Sequence, residues 1–318
     1  MTIASDQGVA RDLSAVPECL IRETGLRVED IQAFRRSGVL ALRNLIDPRE
    51  LDSLRRAGSE LIDWAIRTGS HEDVVWTDNP DVPGAVPIRV EYPVDKSVPA
   101  RLLAGHPVLL SVAEALVGPN LIPTWDSLVF KTDEWAPRLA WHRDGEMYPS
   151  AAALIGCGRV IDVGIYLDPA PEDNCVWCIP GSNYWAQERA EEVMAQLNAS
   201  EWDATGAVPA VMRPGDALVH NILTVHAAPA VRRSRRRVVY FEYRPAELEW
   251  DFGPHSREYV GLKQWVLLST IALRSARVPG EQPFEYRPAK AMRQWADTGE
   301  LTSYRYPHRQ YWTWPTYS

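Results

Sequence analysis

Short runs of β-branched and aromatic residues, separated by turn-forming residues, fill the middle of the chain and constrain its fold most strongly. Such runs at short spacing are typical of all-β sandwiches and barrels. A run of strong helix formers interrupts the series at about 185–207, and the sequence leaves open whether this insertion acts as a lid or pads a sheet. The β-runs are 127–131, 139–144, 160–167, 176–179, 210–212, 217–220, 224–227 and 237–243.

Helical patterns flank this β region on both sides. Before it, Asp47-Pro48 with Glu50 is typical of a helix start, because Asp caps the first turn and Pro fits its first position. After Pro245 helices return, and an aromatic tail ends the chain. We therefore predict a mostly β protein with flanking helices (α+β). An N-terminal arm would cover 1–27 and a single domain 28–318, with its β core at about 121–245 and a helical C-terminal extension at 246–318.

Composition excludes some classes of protein. The chain has 318 residues and a net charge of -8, which argues against nucleic acid as its main partner. No apolar run is long enough to span a bilayer, and the N-terminus lacks the apolar stretch of a secretory signal. With only four cysteines, and Cys175 and Cys178 in an apolar strand pattern, we expect packed thiols in a reduced, cytoplasmic protein.

The stretch Trp141-His142-Arg143-Asp144 carries the first chemical signal. Residues two apart on a strand point to the same face, so His142 and Asp144 would converge. With a distant second histidine they form the 2-His-1-carboxylate set that holds Fe(II) and leaves positions open. His226 is the best second histidine, and His220, six residues earlier, could share its face. From the pattern alone, a lone histidine such as His226 is more often a packed or surface residue than a metal ligand.

The open metal positions need a partner, and a keto acid such as 2-oxoglutarate fills two of them. Its far carboxylate then requires a cation that stays charged when buried, a role that suits arginine. An arginine-rich run at 232–237 follows His226. Such a run is otherwise a solvated loop or a nucleic-acid patch. Arg237 differs from its neighbours because the apolar residues 238–241 follow it directly and draw it into a sheet.

Several motifs in a fixed order carry a resemblance to a known family. After the His-x-Asp pair come Leu167-Asp168, Asn174 with the turn 179–182, the turn 214–216, His226 and Arg237. The opening at 38–45, followed by a capped helix, is also similar. Together these motifs resemble the phytanoyl-CoA dioxygenase family over about 28–243. No helical motif after Pro245 belongs to the resemblance.

The resemblance implies a double-stranded β-helix (jelly roll) that uses Fe(II), 2-oxoglutarate and O₂. The implied iron ligands are His142, Asp144 and His226. The implied 2-oxoglutarate arginine lies eleven residues after the second histidine, which selects Arg237, with Arg235 on the same face as the fallback. Because Asp144 is present, the halogenase variant of the site is not expected. Two further residues are expected near the co-substrate: Lys131 and Tyr166.

Four positions depart from the family pattern. Ala228 stands where serine is frequent, Cys175 where glycine is usual, Tyr166 where a small residue is usual, and Asn183 where histidine is usual. None of them is an implied metal ligand. The departures therefore affect contacts to the co-substrate rather than the class of chemistry.

The expected function is oxidation, by hydroxylation or desaturation, of an unactivated C–H bond in a small molecule of secondary metabolism. The alternatives are an acyl-CoA or amino-acid hydroxylase of the same family, a jelly-roll binding protein without turnover, and a nucleic-acid-binding protein that uses the arginine run. A small-molecule substrate is the expected partner, neither nucleic acid nor a membrane is expected, and a homodimer is left open. Aromatic residues that would line the pocket, or else pack in the core, are Trp125, Trp141, Tyr148, Trp177 and Trp185.

Overall fold

The computed structural model describes residues 14–20, 25–69, 71–78, 84–131, 136–144, 158–230, 234–252 and 257–293. Twelve strands within these ranges form two sheets, whose facing sides line one cavity. The aromatic tail and Tyr148 lie outside the described residues.

The larger sheet has eight strands, and all its pairings are antiparallel except that between the first two strands. In spatial order they are β1 (Glu18–Leu20), β2 (Val39–Arg43), β10 (Ala217–Asn221), β7 (Ile161–Tyr166), β12 (Arg236–Pro245), β5 (Leu121–Lys131), β4 (Ala85–Glu91) and β3 (Val74–Asp78).

The smaller sheet has four antiparallel strands. In order they are β6 (Leu139–His142), β11 (His226–Ala228), β8 (Val176–Cys178) and β9 (Val208–Ala210). The mostly β architecture is as expected, but β1 to β4 precede residue 121, so the sheets extend beyond the expected core of about 121–245. Strand pairing is non-local, and β2 finds its partner in β10, far along the chain. Residues 18–20 of the expected arm also pair, with β2.

Helices cover the outer face of the large sheet, where an extensive apolar core forms. At the start of α2, the Asp47 carboxylate accepts hydrogen bonds from the backbone N–H of Arg49 and Glu50, as the sequence predicts. The helices are α1 (Val28–Ser37), α2 (Pro48–Thr68), α3 (Pro93–Lys96), α4 (Val98–Ala104), α5 (Pro107–Val117), α6 (Gln187–Asn198), α7 (Ala246–Phe252) and α8 (Arg257–Arg277), with 3₁₀ turns at Ser182–Tyr184 and Lys290–Met292.

The helical insertion pads the small sheet. Buried residues of α6, including Met194 and Leu197, pack with Trp141, Val225 and Ala227 of that sheet and its turns. Of the described helices, none alone has the length and hydropathy to cross a membrane, although the bent pair α4 and α5 passes that test together.

Gly38 joins α1 to β2 at a point where the chain approaches the turn before β11. Its φ is 73°, and its carbonyl accepts hydrogen bonds from Thr224 Oγ1 and Asn221 N, both at 2.8 Å. A Cβ at this position would overlap Thr224 Oγ1 and Asn183 Oδ1. Gly38 is therefore required both by its backbone conformation and by the space around it.

An alanine in the left-handed conformation costs roughly 1–2 kcal/mol. We expect Gly38→Ala to lower the free energy of unfolding by more than this, because the overlap of the new Cβ adds to the cost. Gly206→Ala is the matched control, since Gly206 has a φ of 77° and nothing within 4 Å of the added Cβ. Urea denaturation measures both variants. Equal losses would show that the close approach contributes nothing.

Candidate metal centre and its cavity

Two neighbouring strands of the small sheet bring the predicted histidines together. His142 ends β6 and His226 begins β11, and the two residues are direct partners in register, with ring centroids 4.2 Å apart. Asp144 stands just beyond the end of β6. Its Oδ1 lies 3.4 Å from His142 Nε2 and its Oδ2 lies 3.6 Å from His226 Nε2. The three side chains thus converge on one point.

Backbone carbonyls orient both imidazole rings. His142 Nδ1 lies 2.8 Å from Ala140 O, and His226 Nδ1 lies 3.0 Å from Thr224 O. A proton on each Nδ1 would be donated to the carbonyl, which directs each Nε2 lone pair toward Asp144. Metal-binding histidines almost always have such a partner on the other nitrogen. The donor set, two nitrogens and one carboxylate, fits Fe(II) with positions left open.

The electrostatics favour the protonation states that a metal requires. Burial, together with the nearby His142, lowers the pKa of His226 to about 3, so its imidazole is neutral near neutral pH. Burial alone would raise the pKa of Asp144, but the adjacent imidazoles of His226, His142 and His220 outweigh it and hold that pKa well below its usual range. Asp144 is therefore a carboxylate.

A third histidine contacts the Asp144 carboxylate. His220, on β10, places Nε2 2.9 Å from Asp144 Oδ2 and 3.8 Å from Asp162 Oδ2. The sequence placed His220 on the face of His226 without giving it a role. The large sheet therefore also contacts Asp144, through His220.

A cavity of about 280 Å³ opens beside the triad. The small sheet and the large sheet both contribute to its wall. Besides the triad and His220, the charged and aromatic residues that line it include Arg89, Trp125, Lys131, Asp162, Arg236, Tyr240 and Glu242.

Alternation along β12 separates the two arginines that begin it. Arg236, Tyr240 and Glu242 face the cavity, whereas Val239 and Phe241 pack in the outer core. Arg237 shares the outer face, and its guanidinium binds both Asp168 oxygens, at 2.7 and 2.8 Å. The structure therefore does not bring Arg237, or the same-face fallback Arg235, to the triad. It places Arg236 there instead.

Of the other two residues predicted to contact the co-substrate, Lys131 lines the cavity and Tyr166 does not. Lys131 lines the cavity beside Arg236, its register partner, and donates to Pro229 O at 2.6 Å. Burial, with the nearby Arg236, lowers the pKa of Lys131. Tyr166 is fully buried in an apolar cluster with Cys175 and Cys178 and does not line the cavity.

Among the predicted aromatic residues, only Trp125 lines the cavity in the part of the chain that the structure describes. Trp141 stacks on Trp202 at 5.8 Å and its indole donates to Asp203 O, so it belongs to the packing under α6. Trp177 packs edge-on against Trp202, and Trp185 lies under the Arg189 guanidinium. These three tryptophans therefore contribute to packing and do not line the cavity. Cys175 and Cys178 are buried free thiols, as predicted.

Sequence reasoning missed Arg236, Asp162 and Glu242 at the cavity. The available signal was an acidic residue inside each of two apolar β-runs, 160–167 and 237–243. A charged residue in such a run is rarely buried unless it is paired or functional.

Comparison with known proteins agrees with this geometry. The phytanoyl-CoA dioxygenase (PhyH) family matches residues 34–239. Multifunctional dioxygenase prhA of Penicillium brasilianum is 30% identical over 122 residues, which cover 36% of this chain and 38% of that protein. Multifunctional dioxygenase ausE of Emericella nidulans is 27% identical over 135 residues, covering 38% of this chain and 43% of ausE. The chain thus aligns with less than half the length of these relatives.

Solved structures with similar folds include EctD from S. alaskensis with bound Fe, which has a TM-score of 0.57, 17% identity, and coverage of 74% of this chain and 82% of EctD. AviO1 from Streptomyces viridochromogenes has a TM-score of 0.55 and 24% identity, covering 70% of this chain and 96% of AviO1. These likenesses confirm the expected fold. Since the family match covers well over half of the sequence, the chain belongs to the phytanoyl-CoA dioxygenase (PhyH) family.

Proposed function

We propose that this protein oxidises an unactivated C–H bond of a small molecule, using Fe(II), 2-oxoglutarate and O₂. In the hydroxylation form, R–H, O₂ and 2-oxoglutarate become R–OH, succinate and CO₂. The observation that carries the proposal is the convergence of His142, Asp144 and His226 in the wall of a cavity that buried cations also line. Bound iron would supply, with O₂ and the keto acid, an oxidant able to break such a bond.

The residues of this chain have separable roles. His142, Asp144 and His226 would hold the iron, and the carbonyls of Ala140 and Thr224 keep the two rings in place. That the substrate is a small molecule of secondary metabolism is a further proposal. It draws support from solved relatives that include the 2-oxoglutarate-dependent epimerase SnoN of nogalamycin biosynthesis, at a TM-score of 0.54 and 22% identity.

Arg236 and Lys131 would receive the far carboxylate of 2-oxoglutarate. Both are buried, on adjacent strands, at the cavity wall. One Arg236 Nη donates to Asn174 O at 2.5 Å, which fixes the guanidinium while its remaining donors can meet a carboxylate. This assignment replaces Arg237 because the Arg237 guanidinium is already bound to both carboxylate oxygens of Asp168.

We expect Arg236→Gln to raise the KM for 2-oxoglutarate at least about tenfold, since a bidentate charge pair contributes more than 1.4 kcal/mol. Succinate formation, measured in the presence and absence of Fe(II), gives the rate. Arg235→Gln is the control, because Arg235 is the exposed neighbour in the same run. An unchanged KM in Arg236→Gln, or succinate formed without iron, would contradict the proposal.

The alternatives make different predictions. A binding protein without turnover would bind iron and 2-oxoglutarate but form no succinate with any substrate. A nucleic-acid-binding protein would use the arginine run as a solvated patch, yet Arg236 and Arg237 are buried. Any nucleic-acid affinity should also fall steeply with salt.

His220 would position Asp144 for iron. We expect His220→Ala to weaken Fe(II) binding by about 10- to 100-fold, the range seen when a metal ligand loses an orienting partner. His220→Gln, whose amide N–H can still donate to Asp144, should recover part of that loss. Anaerobic iron titration in the presence of 2-oxoglutarate, followed by the visible absorption of the chelate, measures the affinity. Equal affinity in all three proteins would rule out a positioning role.

A further inference from the structure

Opposite ends of the cavity wall carry opposite charges. Arg236 and Lys131 lie at one end of β12 and β5. Six residues along β12, about 20 Å at the rise of a strand, Glu242 lies beside Asp162 of β7. If the basic end holds the far carboxylate of the keto acid, as the proposed function has it, the acidic row beside the triad remains for the second substrate.

The acidic end is a row of side chains across four adjacent strands. His220, Asp162, Glu242 and Trp125 are successive partners in register and all line the cavity. Carboxylates directly opposite each other on adjacent strands repel. Glu242 is compensated by Arg244, at 2.5 Å. Among the residues that the structure describes, no lysine or arginine compensates Asp162 in this way.

His220 does not bond to Asp162. Its Nε2 lies 2.9 Å from Asp144 Oδ2 but 3.8 Å from Asp162 Oδ2, which is beyond hydrogen-bond distance. Asp162 is only 4% exposed, and its buried Oδ1 has no hydrogen-bond partner among the residues that the structure describes. A buried carboxylate oxygen without a donor is costly, and the cavity is where a donor can come from.

We propose that the second substrate carries a protonated amine, which binds at Asp162 and Glu242, and that oxidation takes place at a carbon close to that nitrogen. Burial raises the pKa of Asp162 and raises that of Glu242 to about 8. An ammonium group has several N–H donors and a positive charge, so it can donate to both carboxyl groups and favours their ionised form. The Trp125 ring supplies a surface attractive to a cation. Arg89, the cation nearest to Trp125, is paired with Glu91 at 2.9 Å. His220 Nε2 lies within 4 Å of both Asp162 and Asp144, so an amine bound at Asp162 would lie next to the proposed metal centre.

A metal ion at this end is the competing occupant. Asp144, Asp162 and His220 could hold one, since their ligand atoms lie within 4.8 Å of one another. The orientation of His220 argues against it. In the described structure His220 Nδ1 has no hydrogen-bond partner, unlike Nδ1 of His142 and His226. A metal-binding histidine almost always has one.

The test compares probes that differ only in the amine. Benzylamine and benzyl alcohol, and hexylamine and 1-hexanol, are titrated anaerobically into the enzyme loaded with Fe(II) and 2-oxoglutarate, and the shift in the chelate absorption gives each Kd. We expect each amine to bind at least about tenfold more tightly than its alcohol, the ratio for one charge-assisted contact. Asp162→Asn and Glu242→Gln should each remove most of that preference. Glu188→Gln, on the exposed face of α6, should keep it.

The outcomes separate this inference from the proposed function. Absence of a chelate absorption in the wild-type protein would overturn both. A chelate that forms while amines show no preference, or a preference that survives in Asp162→Asn, would overturn the amine site alone. Two equivalents of iron in the wild type and one in Asp162→Asn would identify the occupant as a metal instead. Thermal unfolding of each variant verifies that it is folded.

Discussion

His226→Ala is expected to abolish succinate formation and to remove the chelate absorption of Fe(II) with 2-oxoglutarate. The loss should be at least about 100-fold, because even an outer partner of a metal ligand contributes up to that much. His226 would contribute a whole ligand, since its imidazole is buried, neutral and beside that of His142. The small residue that replaces it offers no atom to the metal.

Asp144→Ala should behave in the same way, since it removes the carboxylate that contacts both predicted histidine ligands. His71→Ala is the matched control, because His71 contacts Trp64 and the Asp73 backbone, away from the cavity. Iron content and succinate are measured on all three variants. Turnover that persists in His226→Ala would remove His226 from the metal centre.

Arg237→Met is expected to have the largest effect on stability of the substitutions considered. Arg237 binds both oxygens of Asp168 and also donates to Arg55 O and Ser59 Oγ, both at 2.8 Å. Both members of the ion pair are buried. Removing one leaves the other as an uncompensated buried charge, at a cost of about 3–5 kcal/mol.

The double variant Arg237→Met/Asp168→Leu should recover most of this loss, because it removes both charges. Arg235→Met should change the free energy of unfolding by less than about 0.5 kcal/mol, as usual for a surface residue. Urea denaturation measures all of them. A loss below about 1 kcal/mol in Arg237→Met, or a double variant no more stable than the single one, would contradict a structural role for the pair.

The contrast between Arg236 and Arg237 shows where sequence reasoning fails. Counting residues from His226 assumes a fixed loop length between β11 and β12. Side chains alternate on a strand, so an offset of one residue exchanges the cavity face for the core face. The sequence predicted that Arg237 enters the sheet, which it does, but not that its side chain faces away from the cavity. Strand register, which depends on non-local pairing with β5 and β7, decides which one.

The approach of His142 to Asp144 was predictable because their spacing is local. His142 and Asp144 are two residues apart, and the turn before His226 is readable in the sequence. The residues that line the pocket were not predictable in the same way, because the sequence around a tryptophan does not distinguish a core position from a cavity position. Trp141 and Trp177 proved to pack against Trp202, whereas Trp125 reaches the cavity. Only the fold distinguishes these environments.

Anaerobic titration of the wild-type protein with Fe(II), with and without 2-oxoglutarate, tests the metal centre most directly. We expect a visible chelate absorption that requires both components and saturates at one iron per chain. Iron that binds without any response to 2-oxoglutarate, or no absorption in either titration, would contradict a metal centre built on His142, Asp144 and His226.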